Sequence, residues 1–152
     1  MSALKERLRA DLTASMKARD ELTTATLRMV LTAVQLEEVA GNTARELSDD
    51  EVSAVLRREL KKRREAATAF ADAGRRESAD REHAESGVLE AYLPAQLPDH
   101  ELAELVRIAI EESGADGIRQ MGLAMKAVQA IVAGRADGGR VAAEVRRQLS
   151  GA

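Results

Sequence analysis

Apolar residues recur at helical spacing almost from the start of this chain. Leu4, Leu8 and Leu12 return every four positions and Met16 continues the row, while Lys5, Glu6, Arg9, Lys17 and Arg19 fill the other faces. This pattern predicts an amphipathic helix. After Asp20, a second stripe of Leu27, Val30, Leu31 and Val34 predicts a helix over 22–40 that leaves through Gly41-Asn42. Ser48-Asp49-Asp50-Glu51 has the form of a capping box, in which the Ser48 hydroxyl accepts from the Glu51 N–H and the Glu51 carboxylate reaches back. The helix that starts there offers Val52, Val55, Leu56, Leu60, Ala67 and Phe70 as its buried stripe and stops at Gly74. Its acidic first turn suits the positive end of the helix dipole. A fourth helix, over 77–92, has only Ala79, Ser86, Val88 and Leu89 to bury. It also contains Gly87, at a cost of about 1 kcal/mol relative to alanine, so it needs support from its neighbours.

The only two prolines, Pro94 and Pro98, disfavour helix at the residues before them and mark a joint. Beyond it, Leu102, Leu105, Val106, Ala109 and Ile110 predict a fifth helix ending at Ser113-Gly114. Met121, Met125, Val128 and Val132 predict a sixth ending at Gly134, and Val141, Val145 and Leu149 a seventh. No alternating run rich in β-branched and aromatic residues suggests a strand. The expected architecture is all-α: an N-terminal four-helix module over 1–93, a joint at 94–97 and a C-terminal three-helix tail module over 98–152.

Composition narrows the chemistry. With 152 residues, 45% of them hydrophobic, the chain can bury a core without staples. The absence of cysteine excludes disulfides, zinc ribbons, thiolate nucleophiles and iron–sulfur clusters. Charges interrupt the first nine residues and no run of about 18 apolar residues occurs, so neither a secretory leader nor a membrane span is expected, and the expected compartment is the cytoplasm. Phe70 and Tyr92 are the only aromatic residues, which argues against base-stacking modules.

The catalytic inventory is short. His100-Glu101 opens like a zinc-protease helix, but Glu104 stands where the second histidine belongs. Asp80 and His83 have the spacing of a di-metal carboxylate bundle without the second pair it requires. Glu82 and Glu85 share a helix face, but nothing in the sequence separates their pKa values, as an acid–base pair demands. The glycines between 134 and 139 follow no strand and are not a nucleotide loop, and no serine sits in a nucleophile elbow. The expectation is no catalytic residue, no metal site and no cofactor.

Charge is more informative. The segment 57–64 holds six basic residues and one acidic, including Lys61, Lys62, Arg63 and Arg64, and Arg75 follows. This is either an electropositive ridge or a solvated face with counter-charge from Glu65, Glu77 and Glu82. In the tail, residues 94–116 carry six acidic residues and one basic, whereas 117–152 carry six basic and two acidic. The basic residues are Arg119, Lys126, Arg135, Arg140, Arg146 and Arg147. Gly138 and Gly139 either leave the last helix open to a phosphate or form a tight turn with positive φ.

Taken together, Leu27-Arg28, Lys61-Lys62-Arg63, Phe70, Ala73-Gly74-Arg75, Leu89-Glu90-Ala91-Tyr92-Leu93-Pro94-Ala95-Gln96-Leu97, Met121-Gly122 with Met125, and Gly134-Arg135-Ala136-Asp137-Gly138 resemble the GatB/YqeY family. The most specific pieces are Tyr-Leu-Pro-x-Gln-Leu and Gly-Arg-Ala-Asp-Gly. The resemblance implies a stand-alone protein similar to the helical and tail region of the B subunit of the tRNA-dependent amidotransferase, without that enzyme's catalytic cradle. It implies a non-catalytic accessory role, with tRNA, the amidotransferase or another translation-related protein as partner. Arg119, Lys126, Arg135 and Arg140 become the candidate phosphate contacts. The alternative is a protein-interaction module with no nucleic-acid contact, using acidic helix four or residues 94–116. Relatives commonly open helix five with serine where this chain has Pro98, so the cap is expected from Asp99 or the preceding turn. Reversal of Arg135 and Arg140 is expected to weaken RNA retention without altering melting.

Overall fold

Helix ends are set by short polar side chains where the sequence supplies them. The computed structural model describes residues 2–151, which contain helices and no strand. α1 (Ala3–Lys17) begins where the Ser2 side chain accepts from the Lys5 N–H, and α2 (Glu21–Glu38) where Asp20 accepts from Thr23. α3 (Asp49–Asp72) opens on the expected capping box, both halves of it formed. α4 (Arg76–Glu90) has no side-chain cap and ends short of Tyr92, because the chain is already turning toward Pro94. α5 (Asp99–Ser113) ends on Gly114 at φ 73°. Its N-terminus has no side-chain cap: Asp99 does not supply the expected bond to the helix backbone. A 3-10 turn (Ile118–Gln120) that the spacing did not reveal leads into α6 (Met121–Val132), and α7 (Gly138–Leu149) follows.

The chain divides into two compact units, residues 1–93 and 94–152. The first has its core in Leu8 of α1, Leu27, Val30 and Val34 of α2, Val52, Val55, Leu56 and Leu60 of α3, Leu89 of α4, and Leu47 from the loop before α3. Leu8, Leu27, Leu56 and Leu89 are wholly buried, each contributing about 1.5–3 kcal/mol relative to exposure. The second is built from Leu102, Val106 and Ala109 of α5, Ala124, Val128 and Val132 of α6, and Val141 and Val145 of α7, with Leu97 and Ala136 from the connections.

Two members of the predicted stripes lie elsewhere. Met16 is 43% exposed, because a strict four-residue row drifts about 40° per step around a helix; Ser15 takes the inward position instead, bonded to the Leu12 carbonyl and to Thr24. Phe70 is only half-buried, near the end of α3, with the Arg75 guanidinium stacked 5.3 Å from its ring centre. No helix among the described residues is long and apolar enough to cross a membrane.

Candidate functional site

The densest basic run is largely neutralised within its own unit. Glu59 and Arg63, one turn apart, face inward from α3, and Glu82 and Glu85 face them from α4. Arg63, its side chain 15% exposed, lies 3.4 Å from Glu59, 3.8 Å from Glu82 and 3.2 Å from Glu85. Lys62 reaches Glu59 at 3.4 Å and Arg81 reaches Glu85 at 3.3 Å. Arg63 Nε and Glu82 Oε2 are buried without a well-aligned hydrogen bond. Burial, and then the charge of Glu85, push the Glu82 carboxyl above its ordinary pKa. Glu82 thus has an environment that no spacing within α4 encodes. This cluster links α4 to α3 beside a thin apolar face.

Two more of the run are paired, and Arg57 is exposed without an ion pair to a described residue. Arg64 pairs with Glu90 at 2.8 Å and Arg58 with Glu37 at 3.2 Å. Arg75 is committed to Phe70. Lys61 is exposed and makes no ion pair with a described residue. Acidic helix four is similarly engaged, through Glu82, Glu85 and Glu90.

In the second unit the candidates separate into two groups. Arg135 donates from Nε to the Val132 carbonyl at 3.0 Å and from Nη2 to Ile131 at 2.9 Å, satisfying carbonyls that the end of α6 leaves open. Arg140 donates from Nη2 to the Leu97 carbonyl at 2.7 Å and to Asp99 at 2.8 Å, tying α7 to the chain entering α5. The serine cap is missing because Pro98, which has no side-chain acceptor, stands at the N-cap, and Asp99, the first residue of α5, accepts from Arg140. Arg147 pairs with Glu144 at 2.6 Å. Arg135 and Arg140 are therefore engaged within the second unit, and reversing them is expected to lower melting. Arg119, Lys126 and Arg146 are exposed and make no ion pair with a described residue.

The glycine turn also differs from both readings of it. Positive φ falls at Ala133 and Gly134, at 49° and 82°, whereas Gly138 and Gly139 are the first residues of α7. The helix start is already occupied by the Asp137 carboxylate, which accepts from the Arg140 N–H at 2.9 Å. A Cβ on Gly139 would meet that carboxylate at 3.2 Å, so glycine here admits the cap.

His83, Asp80 and His100 are exposed, and Glu104 pairs with Arg107 at 2.6 Å. Among the described residues no three His, Cys, Asp or Glu side chains are grouped to hold a metal ion. One contact escaped the sequence altogether: the Tyr92 hydroxyl donates to Asp11 Oδ2 at 2.5 Å, under the Arg7 guanidinium 4.6 Å from the ring centre. Burial and the bond to Asp11 raise the Tyr92 pKa. Tyr92 marks the joint motif, but its partner is far away in sequence.

The helices and this economy of paired charges define the class, an all-α protein of two helical units. The chain belongs to the YqeY family, described as Yqey-like protein, which matches residues 5–149. No curated protein matches it significantly.

Proposed function

We propose that this chain is a non-catalytic accessory protein that contacts folded RNA of the tRNA type through phosphates, using the outward face of the 3-10 turn and α6 together with α7. The observation that carries the reading is the division of the tail's six cations: Arg135, Arg140 and Arg147 are engaged internally, while Arg119, Lys126 and Arg146 face solvent without carboxylate partners. Arg119 and Lys126 stand about two helical turns apart, and the exposed positions near them include Gly122, Ala130 and Ala133, short enough to let a backbone approach. An A-form surface hides its base edges and rewards phosphate and 2′-OH contacts of this kind. Gly138 and Gly139 drop out of the footprint, because Asp137 already caps their helix.

Fluorescence anisotropy with bulk tRNA tests the reading. Joint reversal of Arg119, Lys126 and Arg146 to glutamate is expected to weaken binding by well over tenfold with unchanged helicity, since all three are exposed. Undiminished binding in that variant, or no binding by the parent protein at low salt, contradicts it.

A further inference from the structure

The tripeptide Ala-Asp-Gly occurs twice in the chain, as Ala115-Asp116-Gly117 and as Ala136-Asp137-Gly138. An aspartyl-glycyl bond is open to a reaction of its own, because glycine has no Cβ to shield its backbone nitrogen, which can attack the carboxyl carbon of the aspartate before it. The reacting residues are identical in the two copies, so a difference between them comes from the fold. The chain's one asparagine, Asn42, is a poorer candidate: Thr43 follows it, and a branched Cβ crowds the attacking nitrogen.

The second copy is restrained. Asp137 is the N-cap of α7, its Oδ1 accepts from the Arg140 N–H at 2.9 Å, and Gly138 is the first residue of that helix. Ring closure there requires the carboxylate to leave its cap and Gly138 to leave helical geometry. The first copy has no such restraint. Asp116 lies between α5 and the 3-10 turn, is exposed, and has a carboxylate with neither a hydrogen bond nor an ion pair to a described residue. The Gly117 N–H likewise donates to no described residue. Gly117 has φ 97°, and nothing lies within 4 Å of the place its Cβ would take, so the approach to its nitrogen is open. What the turn does fix are the Asp116 N–H, bonded to Gln120 Oε1, and the Gly117 carbonyl, which accepts from the Gln120 N–H at 3.1 Å. Both bonds leave the reacting atoms free.

We propose that Asp116-Gly117 is a spontaneous modification site at which the chain converts to an isoaspartyl linkage, and that the fold protects Asp137-Gly138 from the same reaction. The Gly117 nitrogen bonds to Asp116 Cγ and gives up its proton, the bond from Cγ to the hydroxyl of the protonated carboxyl breaks, and one water leaves. Water then adds to either carbonyl of the cyclic imide. Addition at the main-chain carbonyl of Asp116 breaks its bond to the Gly117 nitrogen, and the chain then runs through Cβ and Cγ. The mass returns to its starting value, with no oxidant or reductant involved. The product has an extra methylene in the backbone and a free α-carboxylate three residues before Arg119. It is the class of substrate that isoaspartyl-specific carboxyl methyltransferases take. The reaction does not depend on RNA binding.

The test keeps the full chain at physiological temperature and neutral pH, counts isoaspartate by enzymatic methylation with labelled S-adenosylmethionine, and locates it by electron-transfer fragmentation of tryptic peptides. Cleavage after Arg107, Arg119, Arg135 and Arg140 puts the two sites on separate peptides, 108–119 and 136–140. Isoaspartate is expected to accumulate at 116 at least about fivefold faster than at 137, the factor that corresponds to a cap worth about 1 kcal/mol. In urea the two rates should converge, since the cap is lost with the helix. Asp116→Glu should remove most of the methylated signal with helicity unchanged, because the side chain is exposed. Isoaspartate at neither site, equal or reversed rates in the folded chain, a preference for 116 that persists in urea, or a signal that survives Asp116→Glu would each overturn the proposal.

Discussion

Within 57–64 α3 crowds six cations into two turns: Arg58, Lys62, Arg63 and Arg64 meet carboxylates, while Arg57 and Lys61 are exposed and make no ion pair with a described residue. In the second unit six cations are spread over 117–152; two of them are held largely by backbone carbonyls, Arg147 by Glu144, and three are left free. Density of charge along a sequence is thus a poor guide to available charge. A run on a helix that packs against an acidic neighbour is partly consumed by it. Scattered arginines that stabilise loops and helix ends leave the remaining cations unopposed.

The sharpest way to break this comparison is to remove the centre of the first unit's cluster. Arg63→Met leaves Glu59, Glu82 and Glu85 facing one another, and is expected to cost about 3 kcal/mol in urea denaturation. Adding Glu82→Gln and Glu85→Gln to that variant should restore much of the loss. Preservation of stability in the single variant would mean that the cluster is ornamental. In the second unit Arg140→Ala removes bonds to Leu97 and Asp99, with an expected loss of about 1–2 kcal/mol in the same measurement and little change in tRNA affinity. A large fall in affinity with unchanged stability would return Arg140 to the RNA footprint.

Protonation sharpens the contrast further. The Glu82 carboxyl titrates above its ordinary 4.5 in the folded chain, so its charge opposes folding at neutral pH and that opposition fades as pH falls toward 4.5. Glu82→Gln should therefore melt above the parent protein at pH 7, and the gain should vanish near pH 4.5. Glu51 has the opposite sign: the Arg45 guanidinium holds it down to about 2, so its contribution is present above pH 4.5 and is lost as pH falls toward 2. The smallest effect is expected from Gly87→Ala. A Cβ there meets nothing within 4 Å, and α4 should gain about 0.5–1 kcal/mol, measurable as a rise in Tm.

The helices and both cores were legible in the sequence because burial on one face imposes a periodicity that local composition displays. Ser48 with Glu51 and the stripe from Val52 to Leu60 are examples. The 3-10 turn at Ile118–Gln120 was not legible, since three residues are too few to show a period. The tail's cations were found as a group, but their division was not. Whether Arg140 meets solvent or Asp99 depends on how α7 approaches the start of α5, across some forty positions of chain. Arg63 with Glu82 and Glu85, and Tyr92 with Asp11, escaped for the same reason: each is a pairing between elements, and spacing within one element carries no record of it.

The salt dependence of tRNA binding, measured for the parent chain and for the separate Arg119→Gln, Lys126→Gln and Arg146→Gln variants, tests the central claim most directly. Three neutralised phosphates give a log–log slope of about −2 to −3, and each substitution should make it shallower by about 1. A slope near zero, or a slope untouched by these three substitutions and reduced by Lys61→Gln, would contradict the account.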